Sequence, residues 1–325
     1  MRCYFLGVDN GGTMTKAALF DDQGKEICVA SKASVLLTPF PGHTERNMEE
    51  LWQDTAQVIK SVIQSSGIAP EKISAVACTG HGKGLYLWGE DKSPIRNGIV
   101  STDTRAGEYL KKWEMDGTAA KVYPKTLQKI VVSQPCALLA WIRDCEPENY
   151  RRIKWIFEAK DYIRFRLTQK AYGEITDYSG TNLVNLRTRS YDCELLNLFG
   201  LSDLQDALPP LASSCDICGK VTKEAALATG LLEGTPVAGG MFDIDACAIA
   251  SGITDAKSLC VIAGTWSINE YISKEPVEKL DGPVNSIYCL PEYYLVEESS
   301  PTSAGNLEWF VKSVLCLLYT SKPQK

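Results

Sequence analysis

Histidine is almost missing from this sequence: His43 and His81 are the only two in 325 residues. That excludes a histidine-rich metal centre and any chemistry needing a pair of imidazoles. No apolar run is long enough to cross a bilayer as a helix. The opening Met1-Arg2-Cys3-Tyr4-Phe5-Leu6-Gly7-Val8-Asp9 is too short and too soon charged for a signal peptide, and reads as a first strand. An excess of positive charge is lacking too. Lys plus Arg number 34 against 40 Asp plus Glu, a net charge of -6, so the chain has no basic footprint and no nucleic-acid or membrane partner is expected. The 12 cysteines lack the spacing of a disulfide framework; in a chain of this length they predict reduced thiols in a cytoplasmic protein. Cys215-Asp216-Ile217-Cys218 has no second ligand pair nearby, so loop cysteines are the stronger reading than zinc. Two nucleotide signatures are absent as well: there is no G-x-x-x-x-G-K-[ST], and no G-x-G-x-x-G follows the first strand.

What is present alternates strand and turn. Tyr4 to Val8, Ala17 to Phe20 and Glu26 to Ala30 are β-prone runs separated by Asn10-Gly11-Gly12 and Asp21-Asp22-Gln23-Gly24, whose glycines permit tight turns. Asn47, with Glu50 three residues on, carries a helix-start signal. Met48, Leu51, Trp52, Thr55, Val58, Ile59, Val62 and Ile63 then recur at helical spacing until Gly67 and Pro70. Ile73 to Cys78 predicts another strand running into Thr79-Gly80-His81-Gly82-Lys83-Gly84, with a further strand at Leu85 to Trp88. Pro135 can open a helix. Strand and glycine turn return at Thr235 to Gly240, and again at Ser258 to Ile272 around Gly264-Thr265. Two glycine-bearing hairpins suggest two related lobes with a boundary near Gly252.

Four clusters carry chemistry. In Asp9-Asn10-Gly11-Gly12-Thr13 a carboxylate leaves a strand ahead of two glycines and a hydroxyl. Such a turn can offer successive N–H groups to an anion, and the Asp can hold Mg2+ directly or through water; taken alone, an ordinary hairpin turn is the stronger reading. Lys16 can reach a phosphate or stand in solvent. In Gly239-Gly240-Met241-Phe242-Asp243-Ile244-Asp245 a carboxylate starts a helix, as a base that orients an attacking hydroxyl or as a plain N-cap at Asp243 or Asp245. Gly264-Thr265 repeats the glycine-hydroxyl theme. His81-Gly82-Lys83 and Thr102-Asp103-Thr104-Arg105 are polar clusters after strands, suited to dense hydrogen bonding of a sugar or to plain surface polarity, with Arg105 as a helix-surface charge.

Together these segments resemble the FGGY carbohydrate kinases. Leu6 to Thr13 is similar to the family's first phosphate motif. Pro41-Gly42-His43-Thr44-Glu45 with Trp52 resembles P-G-W-x-E…W, with His43 in place of Trp. Lys160-Asp161-Tyr162-Ile163 with Leu167-Thr168 resembles K-D-Y-L…L-T, and Thr176-Asp177-Tyr178-Ser179 resembles T-D-x-S. Gly239 to Asp243 resembles the segment of the catalytic base, and Gly264-Thr265 the second phosphate motif. Gly82-Lys83-Gly84-Leu85, Asp103, Phe242-Asp243 and Ser300 to Phe310 look most like the family's L-xylulose (3-keto-L-gulonate) kinase group, and His81-Gly82-Lys83 departs from the Q-M-H-G of D-xylulose kinases.

The resemblance implies an α/β, actin-like or ribonuclease H-like fold, with a first lobe over residues 1–250 and the start of a second over 251–325. It implies transfer of the γ-phosphoryl of ATP to a keto-sugar hydroxyl, with ATP and Mg2+ as cofactors and a ketopentose or keto-sugar acid as partner. Asp243 would be the general base and also touch substrate, and Asp9 would organise Mg2+. Gly11, Gly12, Thr13, Lys16, Gly264 and Thr265 would contact nucleotide phosphates, while His81, Gly82, Lys83 and Asp103 would read the sugar. A homodimer is compatible with such a chain. The family pattern continues past residue 325 and the segment from about 315 departs from it, so C-terminal truncation is expected, with an inactive sugar-binding or regulatory remnant as the alternative function.

Overall fold

The structure, a computed structural model, describes residues 3–263, 267–279, 282–300 and 303–315. Three strands open it: β1 (Tyr4–Asn10), β2 (Met14–Asp21) and β3 (Glu26–Ala33). They form an antiparallel meander in which Asp9 lies opposite Lys16. On β1 the period of two buries Tyr4, Leu6 and Val8 on one face. Against that face packs α1 (Met48–Ser66), whose buried stripe of Leu51, Trp52, Thr55, Ile59 and Val62 follows helical spacing. The side chain of Asn47 caps it by accepting the Glu50 N–H at 3.0 Å, and Gly67 ends it at φ 65.

A parallel neighbour needs a crossover, and α1 supplies it: β4 (Ile73–Gly80) returns parallel to β1, with Asp9 beside Thr79 and Asn10 beside Gly80. Helix α2 (Pro135–Cys145) begins at its proline and carries Ala137, Leu138, Leu139, Ala140 and Ile142 into a second core. Then come α3 (Ala159–Thr168) and the single turn α4 (Ile175–Tyr178). Strand β5 (Ile217–Lys220) pairs antiparallel with β6 (Pro236–Ala238), which runs parallel to β4. The short β7 (Met241–Phe242) extends that parallel pairing and leads into α5 (Asp243–Ala250). The seven-stranded sheet therefore runs β5-β6-β4-β1-β2-β3, with β7 also on β4.

This topology brings three distant segments together. The loops after β1 and β4 and the start of α5 all leave the carboxyl ends of neighbouring parallel strands, where open α/β sheets form their crevices. Beyond α5, strands β8 (Cys260–Ala263), β9 (Ser267–Ser273), β10 (Val284–Ile287) and β11 (Tyr294–Ser300) form a second, antiparallel sheet of order β8-β9-β11-β10. Ile244 and Ala248 of α5 share a core with Ile253, Ile272 and Leu295 of that sheet region. Polar ties fasten it to the rest: Ile287 N–H donates to Ser179 Oγ at 3.0 Å and Asn285 Nδ2 to the Leu127 carbonyl at 2.9 Å. The expected turn at Gly264-Thr265 lies outside the described residues.

Candidate active site

Asp9 is the last residue but one of β1, and Thr79 sits beside it on β4. Asp9 Oδ1 and Thr79 Oγ1 are both buried without a hydrogen-bond partner, which is costly unless something outside the protein completes them. Lys16, one strand over, places Nζ 4.0 Å from Asp9 Oδ2 while staying half-exposed. Burial raises the Asp9 pKa and Lys16 partly offsets it. A cavity of about 500 Å³ is lined by Asp9, Lys16, Thr79, Gly240 and Met241.

The chain enters α5 through Gly240, at φ 77, where any Cβ would run into the Cys78 carbonyl. Only glycine permits that approach, and it sets Asp243 against β4. Phe242 is the N-cap and Asp243 the first helical residue, so Asp243 makes no side-chain cap. Its carboxyl is held up to about 7, by burial first and by the charge of Asp9 second, with the nearby Lys83 opposing both. Asp245 does different work: it is fully buried, and its Oδ1 accepts the Cys289 N–H at 3.1 Å, pinning the second sheet to α5.

His81 and Gly82 are buried at the end of β4. The His81 Nε2 lies 2.9 Å from the Tyr86 hydroxyl, and burial, helped by Arg46, lowers its pKa to about 4, so the ring is neutral at physiological pH. Gly82 is wedged between the Phe242 ring and Asp177, which a Cβ there would strike. Lys83 takes φ 62, uncommon for a side-chain-bearing residue, and its charge acts on Asp243 and on the buried Glu158. The structure thus brings Asp9, Lys16, His81, Gly82, Lys83 and Asp243 to one end of the sheet, while the cavity beside Asp9 and Lys16 is lined by none of the other four.

Asp103 stands in a separate ion cluster. Both of its oxygens are engaged: Oδ2 accepts the Thr44 N–H at 2.6 Å and Oδ1 the Arg105 N–H at 2.9 Å, and each also takes a guanidinium N–H of Arg105. Arg105, whose side chain is 1% exposed, further pairs with Glu45 at 2.8 Å. The surface readings of this segment are thereby corrected: Asp103 and Arg105 form a buried brace. Cys215 lies exposed, whereas Cys218 is a buried residue of β5, so the two do not form a loop pair.

Residue reasoning alone assigned no role to the network beneath the crevice. Lys160 and Arg164, one turn apart on α3, are fully buried. Lys160 Nζ lies 2.9 Å from Asp161, 3.3 Å from Glu174 and 3.4 Å from Asp177, and Arg164 lies 2.7 Å from Asp161. Glu174 accepts from Thr176 and from Ser214, and Thr176 Oγ1 in turn accepts the Phe242 N–H at 2.9 Å. Arg164 also donates to the Gly239 carbonyl. The network therefore holds both ends of the 239–242 turn that presents Asp243. The signal in sequence was charge inside an otherwise buried helical stretch, at positions where an amphipathic helix would carry apolar residues.

The profile described as "FGGY family of carbohydrate kinases, N-terminal domain" matches residues 4–250. The chain belongs to the FGGY family of carbohydrate kinases. Among the relatives of this FGGY chain, a "Probable L-xylulose kinase" of Haemophilus influenzae is 40% identical over 309 residues, covering 95% of this chain and 64% of that protein. An "L-xylulose/3-keto-L-gulonate kinase" of Escherichia coli K12 is 39% identical over 311 residues, covering 95% and 62%. The chain thus spans somewhat less than two thirds of these relatives' length. The crystal structure of xylulose kinase from Rhodospirillum rubrum superposes with a TM-score of 0.90 at 23% identity over 98% of this chain and 64% of that one. That of Plasmodium falciparum glycerol kinase with ADP gives 0.87 at 19% identity, over 96% and 64%. At these identities the likeness establishes the actin-like sugar-kinase fold. Among the described residues no helix is long and apolar enough to cross a membrane.

Proposed function

We propose that the FGGY chain takes part in ATP-dependent phosphorylation of a keto-sugar hydroxyl, the sugar being L-xylulose or a keto-sugar acid such as 3-keto-L-gulonate. The observation that carries this reading is Asp243: a carboxyl raised to about 7, set on a glycine turn among Asp9, Lys83 and Gly82. A base is most effective when its pKa lies near the working pH. In this reading Asp243 takes the proton of the attacking hydroxyl and aligns its oxygen. His81, Gly82 and Lys83 read the sugar from β4, and Asp103 shapes that side through Arg105 and Glu45. Gly11, Gly12, Thr13 and Lys16 contact the nucleotide phosphates, and Gly264 and Thr265, outside the described residues, are assigned the same task by their motif.

Mg2+ fits the oxygen donors present. Asp9 Oδ1 and Thr79 Oγ1 are orphaned and buried, and an all-oxygen, water-completed set is what this ion takes. Asp9 would hold it, where it would neutralise charge on the transferring phosphoryl group. Lys16 at 4.0 Å offsets part of the rise that burial imposes on the Asp9 pKa. The names of the L-xylulose kinases at about 40% identity support the sugar class.

The test is release of ADP from ATP with a panel of keto-sugars, on this chain and on an Asp243→Asn variant. ADP release that depends on a keto-sugar and falls about a hundred- to ten-thousand-fold in the variant is expected. Unchanged turnover in the variant would remove Asp243 as the base, and release indifferent to the sugar would remove the assigned substrate class.

A further inference from the structure

We propose that Arg46 is the positioning residue that turns the Gly11–Thr13 loop into an anion cradle. The inference rests on the reading of that loop as a phosphate-binding turn. Arg46 is 2% exposed. One nitrogen of its guanidinium, Nη2, donates to two successive carbonyls, Gly11 O at 3.0 Å and Gly12 O at 2.6 Å. In a trans peptide the C=O and N–H of one plane point in opposite directions. The N–H groups that share planes with these carbonyls are those of Gly12 and Thr13. Drawing both carbonyls onto one guanidinium therefore aims both N–H groups away from it.

The other side of the turn is free to receive them. Neither N–H donates to an acceptor among the described residues. No atom lies within 4 Å of where a Gly12 Cβ would stand, and Thr13 is exposed. Two adjacent N–H groups converging on open space make a nest for an anionic oxygen, and the guanidinium behind them adds positive potential of the same sense. Without the clamp, two consecutive glycines let these peptide planes rotate at little cost, and a carbonyl turned outward would repel the phosphate.

The clamp is itself braced. Glu45–Arg46 pairs antiparallel with Gly98–Ile99, and the Glu45 carboxylate is gripped by Arg96, Arg105 and Asn97. Among the described residues no carboxylate forms an ion pair with Arg46, and its Nε and Nη1 are buried without partners. A buried guanidinium whose hydrogen bonds go to a glycine turn rather than to a carboxylate is arranged to hold that turn.

Two measurements on this chain decide the matter, each with Arg46→Met and Arg46→Lys. The first needs no ligand: amide resonances and hydrogen exchange of Gly12 and Thr13. Arg46→Met should move both resonances and speed their exchange about tenfold or more, Arg46→Lys should restore part of the change, and amides of α1 should stay put. Turn amides unchanged in Arg46→Met, or in Arg46→Lys should the methionine variant not fold, overturn the proposal whatever the nucleotide does. The second is calorimetric titration with Mg-ATP and, separately, with L-xylulose. Loss of about tenfold in Mg-ATP affinity at unchanged L-xylulose affinity supports the clamp. Equal Mg-ATP affinity in wild type and Arg46→Met overturns it while leaving the kinase reading intact. A wild-type chain that binds no Mg-ATP would sink the kinase reading instead, and the turn amides would then judge Arg46 alone.

Discussion

Asp243→Asn should make the protein more stable at pH 8 and no more stable at pH 4, and the size of the effect can be worked out from the site. Raising an aspartate from 3.8 to about 7 corresponds to at most about 4 kcal/mol, at roughly 1.36 kcal/mol per pH unit. The Asp243 carboxylate keeps some exposure to solvent, which screens part of that penalty, so about 2 kcal/mol is the better expectation. Below pH 4 the carboxyl is protonated in the folded and unfolded chain alike. Between pH 4 and 7 the unfolded chain gives up the proton while the folded one keeps it. The unfolded state then binds fewer protons, and stability falls as pH rises. Above 7 both are ionised and the penalty is constant. An asparagine carries no such penalty, so the variant's advantage should grow from nothing near pH 4 to its full value near pH 8. Urea unfolding in the absence of divalent cations and nucleotide, at several pH values across that range, measures the difference directly. Parallel pH profiles for the two proteins would refute the account of Asp243 as a carboxyl raised by burial and by Asp9.

Lys160→Met leaves Asp161, Glu174 and Asp177 buried around a missing cation; removing one partner of such a group costs about 3–5 kcal/mol, readable as a lower urea midpoint, and a loss below 1 kcal/mol would contradict the network described. Gly240→Ala meets the Cys78 carbonyl at a positive φ and should cost at least about 2 kcal/mol; the same assay on Gly12→Ala, where space is open, serves as the contrast and should show a clearly smaller loss. Asn47→Ala removes the α1 cap and should cost about 1 kcal/mol, with Asn47→Asp retaining most of it.

Much of the architecture could be read from residue patterns because the patterns are local. The β-prone run of Tyr4 to Val8, the Asn47 cap, the helical stripe from Met48 to Ile63 and the glycine at 67 act over a few residues, and each recurs in the structure, the strand reaching on to Asn10. Asp9, His81, Lys83 and Asp243 could be singled out because each stands within three residues of a glycine where a strand ends. The buried charges were harder. Arg46, Lys160 and Arg164 look in sequence like surface cations, since a charge is rarely buried unless paired. Their partners, at Gly11 and Gly12 for Arg46 and at Glu174, Asp177 and Gly239 for the α3 pair, are remote in the chain. Asp103 illustrates the converse: polarity after a strand suggested an open binding group, and the fold spends both of its oxygens on Arg105 and Thr44.

By itself, then, the sequence determined the elements, the motifs and the family, because hydrophobic period, capping and glycine placement are short-range properties of a chain. Only the tertiary structure decided which motifs share a crevice, and which charge acts on which. Parallel pairing of β1, β4 and β7 sets Asp9, Thr79 and Met241 side by side, and Asn10, Gly80 and Phe242 next to them. Burial of Asp243 beside Asp9, and of Arg46 behind the glycine turn, exists only once those strands are adjacent. The physical reason is one of range: electrostatic strength depends on separation and on the exclusion of water, and long-range folding alone creates both.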